Sequence, residues 1–152
     1  MPDFYDIDRA NALLPELGEA LLTLRGLRAE VVALRDRIVD LNAPWIVAGV
    51  AGAAPPTLAA GLTATKRAEV EAETRVLRLR LQGMVDQMHA AVVQIDGWSI
   101  QLRDIETGLI DFPALVSGRP VWLCWRLGEG DIGWWHEVSE GFDSRHRLED
   151  LV

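Results

Sequence analysis

Apolar residues recur twice along this chain at the spacing of a helix seam, and that repetition constrains the fold more than anything else in it. Leu17, Leu21, Leu24, Leu27, Val31, Leu34, Ile38 and Leu41 are separated by threes and fours. Val70, Thr74, Leu77, Leu81, Met84, Met88, Ala91 and Ile95 repeat the pattern more regularly. Both series have the period of a helix that buries one stripe against a partner. Asp6 or Asp8 can cap the first helix, and Pro15 either kinks it or opens its long part. From Pro15 to Leu41 such a helix is roughly 40 Å long at 1.5 Å per residue. Thr63 or Thr65 can cap the second, with Asp96 its last residue and Gly97 its stop. Between them, residues 42–62 carry Pro44, Gly49, Gly52, Pro55, Pro56 and Gly61, which predicts an apolar linker, the least regular part of the chain. Matched lengths and a connector that permits reversal predict a long antiparallel, coiled-coil-like helical hairpin over about 6–96. Leu22, Val32, Val76, Leu79, Val85, Val92 and Val93 widen the apolar stripes beyond what one partner helix covers, which predicts a homodimer or higher oligomer.

The period changes after Gly97. Trp98, Ile100 and Leu102 alternate with polar residues, and in V-W-L-C-W-R-L-G-E-G-D-I-G-W-W-H-E-V from Val121 to Val138 an apolar set alternates with a mixed one, Trp122, Cys124 and Arg126 in the first half and Gly133, Trp135 and Glu137 in the second. Three strands in a small antiparallel β-meander over about 98–142 follow, giving an α+β fold in a single domain, 1–152. In Gly108 to Gly118, Asp111-Phe112-Pro113 reads as a turn or short-helix start. Gly128-Glu129-Gly130-Asp131 suits a two-residue or a four-residue hairpin loop, and both give one register. That register sets Trp125 opposite Trp134, Leu123 opposite His136, Cys124 opposite Trp135, and Trp122 opposite Glu137. Trp125 and Trp134 then face the core. Trp122, Arg126, Trp135 and Glu137 form an outer face, with the Arg126 guanidinium able to lie over Trp135. Either a loop or the C-terminal tail covers this face, or it is a surface for a protein or small-molecule partner.

Composition excludes several roles. A net charge of −8 argues against nucleic-acid binding, which needs a basic surface. The cluster Arg75, Arg78 and Arg80 reads as a solvated helix face. The uncharged run from Leu41 to Thr65 is broken by proline and glycine, so no membrane span is expected. One cysteine rules out an internal disulfide and fits a reducing compartment. The charged first twenty residues do not read as a signal peptide, and the expected location is cytoplasmic.

Chemistry-bearing residues are sparse. Gly128, Gly130 and Gly133 spell G-x-G-x-x-G, but no helix follows to meet a pyrophosphate, and Glu129 and Asp131 would repel one. Cys124 and His136 could share a metal or form a thiol site, yet in the register above they face opposite ways. A slip of one residue would unite them and disrupt the apolar face. Asp86 and His89 stand one helical turn apart, with Glu16 near them in a symmetric hairpin, a partial helical-bundle metal site. No G-x-S-x-G marks a serine nucleophile, and His146 reads as surface. No cofactor is expected.

R-A-N-A-L-L-P-E-L from Arg9 to Leu17, G-L-I-D-F-P-A-L from Gly108 to Leu115, and V-W-L-C-W-R-L-G-E followed by W-H-E and G-F-D-S-R resemble an uncharacterised bacterial family, domain of unknown function 2203. The resemblance covers both ends of the chain, with residues 42–62 as an insertion, and implies no catalytic residues. The residues therefore point to a self-associating binding module with a tryptophan-rich surface. The alternative is a metal-binding protein or metal-dependent enzyme using His, Asp, Glu and Cys.

Overall fold

The structure, a computed structural model, describes residues 3–50 and 64–151. Helix α1 spans Ile7–Val50 and begins where Asp6 Oδ1 accepts the Arg9 amide at 2.7 Å, so of the two candidate caps Asp6 is the one used. The helix starts eight residues before Pro15 and contains it. Pro15 is exposed, where a missing N–H costs one ladder bond and no burial. At the other end α1 continues past Leu41 and Pro44, which corrects the linker at residues 42–50; the rest of that linker, 51–62, lies outside the described residues. Asn42 Nδ2 donates to the Ile38 carbonyl at 2.9 Å and to the Thr74 hydroxyl at 3.0 Å, tying the helices together where the linker was expected to begin. Helix α2 is Ala64–Gly97.

The two long helices pack against each other and are followed by an antiparallel sheet. The chain divides into two compact units, Leu27–Gln87 and Met1–Gly26 with Met88–Val152. In the first, Arg37 pairs with Glu73 at 2.9 Å and Val70 is buried. In the second, Leu14, Leu17, Leu21, Leu24 and Ile95 bury the helices' seam against the sheet. Among the described residues no helix is long and apolar enough to cross a membrane.

The sheet has five strands in sequence order, β1 Gln101–Asp104, β2 Leu109–Val116, β3 Arg119–Arg126, β4 Trp134–Glu137 and β5 His146–Arg147, all antiparallel. The expected meander is present with two additional strands. Segment 109–116 is a strand, not a turn or helix start. Pro113 is accommodated because β1 reaches only to Asp111, so beyond it one side of β2 carries no ladder and needs no donor. The Pro113 carbonyl on that side accepts the Tyr5 amide at 2.7 Å. At the β1–β2 turn Gly108 has φ +68°, and a Cβ there would come within 2.5 Å of Leu127 Cβ.

The β3–β4 register corrects the expected one by one residue. Val121 pairs with Glu137, Trp122 with His136, Leu123 with Trp135, and Cys124 with Trp134. The cause lies in the connection. Ile132 leaves the ladder and buries itself, its amide donating to Asn11 Oδ1 of α1 at 2.8 Å, while Trp125 Nε1 donates to the Gly130 carbonyl at 2.8 Å. A loop pinned to the helix replaces the tight hairpin, and its odd length exchanges the faces of β4. Ile110, Phe112, Ala114, Val121, Leu123, Trp125 and Trp135 therefore face the helices, and Trp134 and His136 face away.

Candidate functional site

The outer face of the sheet carries Asp111 of β2 directly opposite Cys124 of β3, with His136 of β4 on the same side. All three are buried, and their ligand atoms lie within 4.8 Å of one another. Strand alternation explains the convergence: Asp111 stands between inward Ile110 and Phe112, Cys124 between inward Leu123 and Trp125, and His136 beside inward Trp135. Asp111 Oδ2 accepts from Arg103 Nε at 2.8 Å, which fixes the carboxylate and leaves Oδ1 for His136 Nε2 at 3.0 Å. His136 Nδ1 lies 2.8 Å from the Glu137 carbonyl oxygen, which can only accept, so Nδ1 is the donor. In the neutral ring the Nε2 lone pair then faces the Asp111 oxygen, acceptor against acceptor. A proton between ring and carboxylate, or a bound cation, makes that contact attractive.

Arg145 closes the site from the C-terminal side. Its Nη2 donates to Glu129 Oε1 at 2.7 Å, and its guanidinium carbon stacks 4.4 Å from the Trp134 ring centre and 4.3 Å from that of Phe142. Burial pushes the Cys124 thiol up to about 11, with the Asp111 charge adding to the rise and the Arg145 guanidinium opposing it. A cleft of about 290 Å³ adjoins the group, lined by Arg103, Leu109, Asp111, His136, Val138, Glu140, Gly141 and Phe142. A thiol nucleophile needs an accessible thiolate with a base facing it. Here the thiol is held protonated and Nε2 faces Asp111. Three donors of mixed softness around one point suit a metal ion better.

Sequence reasoning placed Trp122, Arg126, Trp135 and Glu137 together on the outer face. Trp122 is there, with Arg103 5.1 Å from its ring centre, and Arg126 is there, over Phe142 at 5.5 Å. Trp135 and Glu137 are carried to the other face by the register. Trp135 is a core residue, its Nε1 donating to the Arg147 carbonyl at 3.2 Å, and Glu137 accepts from Arg119 at 2.6 Å. Of the metal candidates, Cys124 and His136 are united by the one-residue slip. Asp86, His89 and Glu16 are exposed and belong to no group of ligand atoms close enough to share an ion among the described residues. Sequence reasoning missed Asp111, Arg103 and Arg145. A carboxylate inside L-I-D-F-P-A-L was the available signal, since an aspartate in an apolar run is buried only when paired.

Fold and site together define an α+β protein, a helical pair on a five-stranded meander with a buried Asp-Cys-His group on the sheet's outer face. The profile of the family described as "Uncharacterized conserved protein (DUF2203)" matches residues 3–148, and the chain belongs to that family. Searches of the curated proteins and of the solved structures returned no match.

Proposed function

We propose that the protein binds a zinc-class divalent cation through Asp111 Oδ1, Cys124 Sγ and His136 Nε2. The observation that carries this reading is the convergence of three buried ligand atoms within 4.8 Å of one another, with Nε2 and Oδ1 3.0 Å apart and the thiol sulfur beside them. Two ligand atoms each about 2.0–2.1 Å from one zinc ion at the tetrahedral angle stand about 3.3 Å apart. The surrounding groups support it. Glu137's carbonyl holds the histidine tautomer that frees Nε2, and Arg103 orients the carboxylate, the roles outer groups play around metal ligands. Three protein ligands leave a fourth position, the pattern of catalytic rather than closed structural zinc. The single cysteine, kept reduced, suits a cytosolic protein.

Titration of protein purified without an affinity tag with cobalt(II) tests the reading. One equivalent should bind with a thiolate-to-cobalt absorption band that Cys124→Ser abolishes. Absence of binding at micromolar protein, or a band unchanged in that variant, overturns it.

A second reading, self-association, is favoured by the exposed Val76 and Leu79 on α2 and Val39 on α1. A second copy of the chain is the partner that would cover them. In this reading the helices assemble the protein and the sheet carries the ligand.

A further inference from the structure

Arg145 is an unusual neighbour for a cation site. Its side chain is 15% exposed, Glu129 takes its Nη2, and two aromatic rings enclose the guanidinium. A stacked ion pair of this kind would by itself be a latch for the C-terminal segment. One feature goes further: Nη1 is buried without a hydrogen-bond partner, while the guanidinium is close enough to act on the Cys124 thiol. A fixed positive charge stands beside one of the three candidate ligands.

We propose that Arg145 sets the affinity threshold a cation must clear to occupy the Asp111, Cys124 and His136 site, a threshold that thiophilic ions clear and hard ones do not. The inference rests on the metal-binding reading above. When a divalent ion M²⁺ binds, the S–H bond breaks, the M–S bond forms and the proton leaves to solvent, so the exchange adds one net positive charge beside the guanidinium. Repulsion taxes every divalent ion alike. Zinc or cadmium recovers it through a strong bond to sulfur, whereas magnesium and calcium, which favour shells of oxygen, gain little from a thiolate. The same repulsion loosens the guanidinium from the sulfur and from Trp134, so binding transmits to the segment around Phe142–Ser144 and β5.

Wild type, Arg145→Gln and Arg145→Lys, each the full chain, are titrated with zinc chloride against a chromophoric chelator, and separately with magnesium chloride. Removing the charge should tighten zinc binding by roughly fivefold to a thousandfold, the range for one net charge about 4 Å away between bulk water and an effective dielectric of 20. It should raise magnesium affinity by a similar factor, while the lysine variant stays within about threefold of wild type. Equal zinc affinity in wild type and Arg145→Gln overturns the proposal, as does an equal gain in the lysine variant, which would trace the effect to packing. Should Arg145→Gln fail to fold, hydrogen exchange on the wild type decides: zinc should speed exchange at residues 142–147, and unchanged or slower exchange overturns the proposal. Zinc that binds none of the proteins overturns this proposal together with the metal-binding reading; zinc that binds all of them alike overturns this proposal alone.

Discussion

Cys124 shows how much one position can depend on its surroundings. In the sequence it is a small residue in an apolar run. In the fold it is buried beside a carboxylate, and its thiol ionises near pH 11 where the unfolded chain's ionises near 9.0. Between those values the unfolded state has given up a proton that the native state keeps, so stability falls as pH rises through that window. Tyr5, also pushed up chiefly by burial, adds to the loss from about pH 10. Urea unfolding with chelator present should therefore show a midpoint that falls from pH 9 to pH 11, and falls less steeply in Cys124→Ala. Parallel curves for the two proteins would mean that the thiol is not held protonated.

At the scale of the element, the β3–β4 connection decides which tryptophans are structural. Trp125 and Trp135 face the helices, so alanine at either should cost roughly 3–5 kcal/mol, the range for large aromatics truncated in a core. Trp122 and Trp134 lie half-buried on the outer face under arginine side chains. Alanine there should cost clearly less, and at Trp134 it should also free Arg145. Urea midpoints of the four single variants check the register: Trp134→Ala more damaging than Trp135→Ala would restore the tight-hairpin pairing. No inspection of G-E-G-D could have supplied this, because loops of even and odd length place the same residues in equally good strands. Asn11, more than a hundred residues earlier, breaks the tie by capturing the Ile132 amide.

At the scale of the whole molecule, the helices leave apolar side chains in water, with Leu79 75% exposed. Such patches are covered by a partner in proteins that assemble. Sedimentation velocity at micromolar concentration should give a dimer or larger species, and Leu79→Glu should shift it toward 16.8 kDa. A wild-type monomer of that mass would remove self-association from the account.

The two helices were legible in the sequence because their signal is local: seam residues three and four apart share a face wherever the rest of the chain goes. Strand identity at 101–104, 121–126 and 134–137 was legible for the same reason, from alternation. Helix ends were less so, since Pro15 and Pro44 read as breaks and are tolerated at exposed positions of α1. Strand β2 was hidden by Pro113, which a strand can hold only where a ladder is absent on one side, a property of β1's length and not of Pro113. The candidate site was hidden more deeply. Asp111, Cys124, His136 and Arg145 come from separate segments, and a shift of one residue between β3 and β4 is the difference between facing apart and facing together. That shift is decided by a hydrogen bond from the loop to a distant helix, so periodicity alone could name Cys124 and His136 as candidates, and only the packed tertiary structure could bring them to Asp111.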